Sequence, residues 1–123
     1  MRPMHAAVLA ALLASTATHA NAERKPTRYF DLVNAARDSV TSLAVAPAGS
    51  DAFRDIDLGA PLRGGLTSTT VELADGDCLR DFRLTFRNGR TLVYPGIDIC
   101  NHRGLRLTPN DGKQREAGLL ALP

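Results

Sequence analysis

The chain of 123 residues is poor in the side chains that carry most enzymatic chemistry, with three histidines and two cysteines. Only His102 lies beyond residue 22. A Ser/His/Asp or Cys/His apparatus would have to be built around that single histidine, which we interpret as a solvated loop residue. Arg63-Gly64-Gly65 lacks the lysine and the strand-to-helix context of a phosphate loop. We therefore predict no enzyme activity, no catalytic residues and no cofactor.

The chain also lacks a hydrophobic run long enough to span a membrane. Its apolar stretch, Ala6 to Ala14, is too short to cross a hydrocarbon core of about 30 Å. It follows a short basic region and precedes Ala20-Asn21-Ala22, a small-x-small cleavage site. We predict that residues 1–22 are a cleaved export signal and that the protein is periplasmic or secreted.

Export would place the two cysteines in an oxidising compartment. In an oxidising compartment the cysteines of a small domain usually pair, and with two of them the connectivity is unambiguous. We therefore predict a disulfide between Cys78 and Cys100. The alternative is a reactive thiol or metal ligand in Cys100-Asn101-His102, and a paired cysteine can be neither.

The clearest local pattern is a β-hairpin between the cysteines. The segment from Cys78 to Arg87 alternates apolar and polar residues, with Leu79 and Arg80 breaking the pattern, and Asn88-Gly89 favours a two-residue type I′ turn. This turn would pair Arg87 with Arg90. The residues then predicted on the core face are Cys78, Phe82, Leu84 and Phe86 on one strand and Thr91 and Val93 on the other.

Pro95-Gly96 predicts a break in the return strand of this hairpin. Proline cannot donate to a ladder, and glycine permits a bulge. A shift of one residue there would bring Cys100 onto the same face as Cys78. We therefore expect the disulfide to cross-link the two strands of the hairpin.

The whole mature chain, about 100 residues long, suits one domain, and the segments outside the hairpin suit short strands. Tyr29–Asn34 fits a strand with Phe30 and Leu32 inward, but Tyr29–Arg37 fits a short helix equally well. Other predicted strands are Val40–Ala46, Leu66–Leu73 and Leu105–Leu107. A long loop, 51–65, is expected to cover one end of the core with Phe53, Leu58 and Leu62.

These elements predict an all-β fold, a small antiparallel β-sandwich of the immunoglobulin-like or prealbumin-like kind. The predicted organisation is a signal peptide at 1–22, a polar lead-in at 23–28, the sandwich at 29–107 and a flexible C-terminal tail at 108–123. Within that tail, Ala117–Leu122 would be able to pack back onto the domain or to bind a partner.

Several short motifs resemble a group of small exported bacterial β-sandwich proteins that has no established activity. The matching residues are Asn34, Val40–Phe53, Leu58-Gly59, Cys78, Asp81-Phe82-Arg83, Asn88-Gly89 and Ile97–Cys100. Phe53 stands where that group has tryptophan, and Arg80 stands where it has an aromatic residue. The resemblance implies a β-sandwich in a periplasmic setting. It also favours a strand at Tyr29–Asn34 and not a helix at Tyr29–Arg37.

The arginines are the one feature of the sequence that suggests a binding surface. One basic sheet face, able to bind carboxylate or phosphate, would be formed by Arg83, Arg87, Arg90, Arg103 and Arg106. The alternative is an ordinary solvated surface, partly balanced by Asp81 and Asp98. Asp51, Asp55 and Asp57 share one loop, but their spacing does not match a calcium loop, and we predict no metal site.

Three functions follow, in order of preference. The first is a binding module for an acidic envelope component or protein. The second is an inhibitor or immunity-type protein that acts on an envelope enzyme through the 51–65 loop. The third is an envelope enzyme. Nucleic acid is not an expected partner, because no aromatic residues interleave with the outward arginines.

Overall fold

The computed structural model describes residues 27–108 and 118–122. The predicted signal peptide and most of the polar lead-in lie outside this part of the chain. Within it, the backbone forms eight strands: β1 (Thr27–Asn34), β2 (Val40–Pro47), β3 (Arg54–Ile56), β4 (Thr67–Ala74), β5 (Leu79–Phe86), β6 (Thr91–Asp98), β7 (His102–Leu107) and β8 (Leu119–Ala121). No helix among the described residues is long and apolar enough to cross a membrane.

The strands form two four-stranded sheets packed face to face, which confirms the predicted β-sandwich. One sheet has the order β4-β1-β7-β8 and the other has the order β3-β2-β5-β6. Neighbouring strands are antiparallel except β1 and β7, which run parallel from the Asp31–Gly104 pair to the Asn34–Leu107 pair. The sandwich is therefore mainly, but not wholly, antiparallel.

The core lies between the inward faces of the two sheets. In β1, Phe30, Leu32 and Asn34 are buried while the residues between them are partly exposed. This period of two belongs to a strand, so the helix considered for Tyr29–Arg37 does not form. The ring of Phe30 meets that of Phe82 from the opposite sheet at a centroid distance of 5.3 Å.

The β5–β6 turn differs from the predicted two-residue turn. The Gly89 N–H donates to the Phe86 carbonyl at 2.9 Å, and the Phe86 N–H donates to the Arg90 carbonyl at 2.8 Å, so the loop has three residues. Gly89 has a φ of +88°, whereas Asn88 does not have a positive φ, so the type I′ prediction is wrong.

This extra loop residue reverses the faces predicted for β6. Leu84 now pairs with Leu92 and Phe82 pairs with Tyr94, so Leu92 and Tyr94 point inward. Val93, which was predicted to be in the core, is 46% exposed. The physical reason is hydrophobic burial, because this register covers a leucine and a tyrosine in place of Thr91 and Val93.

The bulge and the disulfide are both observed, but beyond the bulge Cys78 lies opposite Ile99 and not opposite Cys100. Phe82 pairs with Tyr94 and Arg80 pairs with Ile97, so Pro95 and Gly96 together oppose one residue of β5. Beyond the bulge, the Ile99 N–H donates to the Cys78 carbonyl at 2.9 Å. A disulfide joins Cys78 to Cys100, as predicted, and ties the start of β5 to the turn after β6.

The 51–65 segment is more structured than the predicted loop. It contains β3, whose three residues pair with Leu43–Val45 of β2. Leu62 is buried and exchanges two backbone hydrogen bonds with Val40, and Leu58 packs against the core, as expected. Phe53 instead packs on the outer surface of the second sheet, under Arg83.

The end of the chain returns to the sandwich. Part of the segment expected to be a flexible tail forms β8, which pairs with His102–Leu105 of β7. This is the packed alternative considered for Ala117–Leu122. The rest of that segment, 109–117 and 123, lies outside the described residues.

Candidate binding cleft and arginine surfaces

The five arginines predicted to form one face lie on two different sheets. Arg83 is on β5, and Arg87 and Arg90 are in or beside the β5–β6 turn, whereas Arg103 and Arg106 are on β7. Because β7 belongs to the other sheet, the structure does not bring all five guanidinium groups to one surface. We predicted that β7 lies beside the hairpin because the two segments are adjacent along the chain. In the structure, β7 instead crosses to the other sheet and pairs with β1.

Arg83 has a specific partner on the outer surface of its own sheet. Its guanidinium carbon lies 4.2 Å from the centroid of the Phe53 ring, a cation–π contact. Ala44 pairs with Arg83, and Ala44 and Ala46 point outward by register yet are only 5% and 1% exposed. The chain segment around Phe53 therefore covers the outer surface of the sheet there.

The two aspartates expected to balance the arginines bind backbone groups instead. The Asp81 carboxylate accepts from the N–H of Gly49 at 2.9 Å and from that of Gly96 at 2.8 Å. It thereby ties the β2–β3 turn to the bulge in β6. Arg103 pairs instead with Asp31, at 3.4 Å, through an exposed ion pair that contributes little stability.

Asp98 organises the turn that carries Cys100. Its carboxylate accepts from the side-chain amide of Asn101 at 2.7 Å and from the backbone N–H of Cys100 and of Asn101 at 3.0 and 3.2 Å. The Asn101 side-chain hydrogen bond is the main cause that lowers the pKa of Asp98 below its ordinary value, and the backbone donors and His102 act in the same direction, partly offset by desolvation. His102 places Nδ1 3.2 Å from the Asp98 carbonyl.

A cleft of about 450 Å³ opens at the end of the sandwich opposite the disulfide, between the β1–β2 loop and the β5–β6 turn. Its apolar lining comes from Ala35, Ala36, Phe86 and Leu92, and its polar lining comes from Arg37, Asp38, Asn88 and Arg90. We call this the end cleft. It combines apolar surface with two arginines, which is the composition of a site for an anionic ligand with an apolar portion.

The side chain of Asn34 holds one wall of the end cleft in place. Asn34 is fully buried at the end of β1 and its amide donates to the carbonyls of Asp38 and Leu62 at 2.8 and 2.9 Å. Its carbonyl oxygen accepts from the Ala36 N–H at 3.0 Å. One amide therefore satisfies two backbone groups of the loop that carries Arg37 and one of the 51–65 segment.

Asp38 joins the two loops that border the end cleft. Its carboxylate oxygens accept from the N–H of Ser39 and from the N–H of Asn88, both at 2.9 Å. The Arg87 N–H also donates to the Ser39 carbonyl at 2.9 Å. The Asp38–Asn88 hydrogen bond joins residues that are 50 apart in the sequence, so local sequence patterns could not predict the cleft.

At the other end of the sandwich, Arg80 is buried. It is 8% exposed, and its guanidinium donates to the carbonyls of Asp77 and Ala74 at 2.6 and 2.8 Å. It therefore closes the β4–β5 turn from the inside. Arg80 was predicted to break the strand pattern, but its even position in the alternation is that of an inward side chain.

The atoms of Cys78, Asp98 and Cys100 lie close enough together to suggest a metal site. However, both sulfur atoms are bonded to each other in the disulfide. A disulfide sulfur is not a thiolate, which is the form of cysteine that binds metals, so this cluster does not provide a ligand set.

Comparison with known proteins gives little further information. Neither a scan of protein-family models nor a search of curated proteins found a match. The fold is similar to the NMR structure of a protein from Eubacterium rectale, with 16% sequence identity, a TM-score of 0.45, and coverage of 81% of this chain and 90% of that chain. At this level the similarity carries no argument about function.

Proposed function

We propose that the protein is an exported binding module that holds an acidic partner in the end cleft. The observation that carries the proposal is the cleft itself, in which Arg37 and Arg90 border an apolar surface formed by Phe86 and Leu92. The disulfide supports an oxidising compartment such as the periplasm or the cell exterior.

The chemistry of the cleft favours a carboxylate-bearing partner. A guanidinium presents its N–H donors in a planar fork that matches the two oxygens of a carboxylate. The carboxylate in the cleft, Asp38, is already engaged by the N–H groups of Ser39 and Asn88. An anion that enters the cleft therefore lies beside the two arginines and beside Asp38, whose carboxylate oxygens already accept hydrogen bonds.

The position of the cleft also suits recognition. Loops at one end of a rigid β-sandwich vary in sequence without disturbing the core, and sandwich domains commonly use such loops to bind partners. Here the loops are fixed by buried Asn34 and by the Asp38 cross-link, so the arginines are presented on an ordered frame. Of the five arginines proposed from the sequence, Arg90 lines this site and Arg87 lies in the adjoining turn.

The test is a comparison of two matched charge reversals in the oxidised protein. One variant carries Arg37→Glu and Arg90→Glu, and the control carries Arg103→Glu and Arg106→Glu on the opposite sheet. Both variants change the net charge by the same amount. Immobilised protein is incubated with envelope extract, and the retained proteins and glycans are identified and then titrated individually against each form.

We expect the wild type and the control to retain the same acidic component and the cleft variant to lose at least about tenfold in affinity, the effect of removing charge-assisted hydrogen bonds. Equal retention by all three forms would contradict the end cleft as the site. In that case the 51–65 segment, and with it the inhibitor function, would be the next to test.

A further inference from the structure

Three of the four sheet edges in the described part of the chain are short or interrupted. β3 and β8 have three residues each. β6 carries Pro95 and a bulge, both of which discourage a further strand from pairing. The remaining edge is β4, which has eight residues and pairs with β1 without interruption from Thr67–Asn34 to Ala74–Thr27.

The β4 strand itself lacks the proline, lysine and bulge that often protect a long edge strand. Its sequence, TSTTVELA, contains no proline and no lysine, and its single charged residue is Glu72. Among residues 27–108 and 118–122, no strand pairs with its far side. Threonine and valine favour an extended backbone, so this edge is a ready template for another strand.

We propose that β4 pairs antiparallel with β4 of a second copy of this chain, across a two-fold axis at Thr70. This register places Thr70 opposite Thr70, Thr69 opposite Val71 and Ser68 opposite Glu72. The two Glu72 carboxylates are then about four residues apart along the strands, roughly 13 Å, and do not face each other. A strand that can pair with itself in this way gives a closed dimer, since each copy uses the one such edge found within residues 27–108 and 118–122.

An exposed leucine supports the same register. Leu66 directly precedes β4 and is 63% exposed, and its φ of +74° is uncommon for a residue other than glycine. In the pairing centred on Thr70, Leu66 lies opposite Ala74 of the second copy. The dimer therefore covers an apolar side chain that the single chain leaves in water.

The charges beside the edge determine how the dimer responds to salt. A groove next to β4 is lined by Asp55, Asp57 and Glu72. Two copies bring two such grooves near each other, so the carboxylates repel and added salt screens that repulsion. A cationic partner bound at this edge would respond in the opposite way. The small contact area of one strand pair predicts a weak, concentration-dependent dimer.

The experiment measures the mass of the oxidised protein by sedimentation velocity over a range of concentrations at low and high salt. Ser68→Lys places a lysine opposite Glu72 of the second copy twice in each dimer, and Ser68→Glu places a glutamate there. Opposite and like charges directly across a pair of strands are favourable and unfavourable respectively. Thr91→Glu, a change at an exposed residue of β6 in the other sheet, is the matched control.

We expect the mass to rise from one chain to two and to stop there, with stronger association at high salt. Ser68→Lys should strengthen the dimer by about fivefold and Ser68→Glu should weaken it by about fivefold, because each change acts at two symmetric pairs. Thr91→Glu should match the wild type. A protein that stays monomeric at every concentration, assembles beyond two chains, or dimerises equally well with either Ser68 variant would overturn the proposal. The outcome is independent of the end cleft, which lies on other strands.

Discussion

The two ends of the sandwich are held together by different kinds of contact. At the end where β5 begins, a disulfide, a buried arginine and two aspartates fix the turns. At the end where β5 finishes, the loops are held by the amide of Asn34 and the carboxylate of Asp38, and a cleft of about 450 Å³ remains open between them.

This difference predicts that one end of the sandwich stabilises the domain and that the other end shapes the cleft. A covalent link constrains the unfolded chain as well as the folded one, so the disulfide end stabilises the whole domain. The cleft end depends on hydrogen bonds that need only hold two loops in position. Variants at the first end should therefore change global stability, and variants at the second should change the shape of the cleft at a smaller cost to the fold.

Removal of the disulfide should have the largest effect. Closing a loop with a sequence separation of 22 residues contributes about 3 kcal/mol in the chain-entropy model. We expect the Cys78→Ser/Cys100→Ser variant, and the wild type under reducing conditions, to lose about that much free energy of unfolding in urea titrations. The reductant should have no effect on the double serine variant. Equal unfolding midpoints for oxidised and reduced wild type would show that this end does not carry the stability assigned to it.

Replacement of Asn34 should have the next largest effect, at the other end. Asn34→Ala leaves the Ala36 N–H and the Asp38 carbonyl without this partner, whereas the Leu62 carbonyl keeps its hydrogen bond from the Val40 N–H. We expect a loss of about 2 kcal/mol in the free energy of unfolding. Amide hydrogen exchange should show faster opening in residues 35–39 than around Cys78.

Asn34→Asp provides the control for this interpretation. A carboxylate is nearly the same size as the amide but cannot donate to the carbonyls of Asp38 and Leu62. It should therefore destabilise the protein at least as much as alanine does at neutral pH. A fully stable Asn34→Asp variant would mean that the amide donors do not hold the loop.

The contrast between local and long-range contacts also explains which features of the fold could be predicted from the sequence. The inward positions of Phe82, Leu84 and Phe86, the bulge at Pro95-Gly96 and the disulfide depend on patterns within a short stretch of chain, and all three are observed. The turn at Asn88-Gly89 was mispredicted because a glycine with positive φ fits both a two-residue turn and a three-residue turn. The choice between them depends on the core, which buries Tyr94 and Leu92 in preference to Val93.

The candidate site was largely beyond sequence analysis for a related reason. Arg37 and Arg90 line the same cleft only because β1 ends and β6 begins at the same end of the sandwich, in different sheets. Asn34 did leave a signal, since it continues the alternation of Phe30 and Leu32 into a buried position. A polar residue at the inward position of a strand end is most easily explained as a hydrogen-bonding partner for nearby loops.

The smallest predicted effect returns to the disulfide end and concerns pH. The folded-state pKa of Asp98 is lowered, chiefly by the Asn101 side-chain amide, so its contribution to stability is present above the unfolded pKa of about 3.9 and is lost as the pH falls through the folded value. We expect Asp98→Asn to be slightly less stable than wild type at pH 6 and equal to it in strong acid. Asp51→Asn, an exposed loop change, controls for net charge. NMR titration of the Asp98 carboxyl should show its pKa rising in the Asn101→Ala variant, and an unchanged value there would contradict the assigned cause.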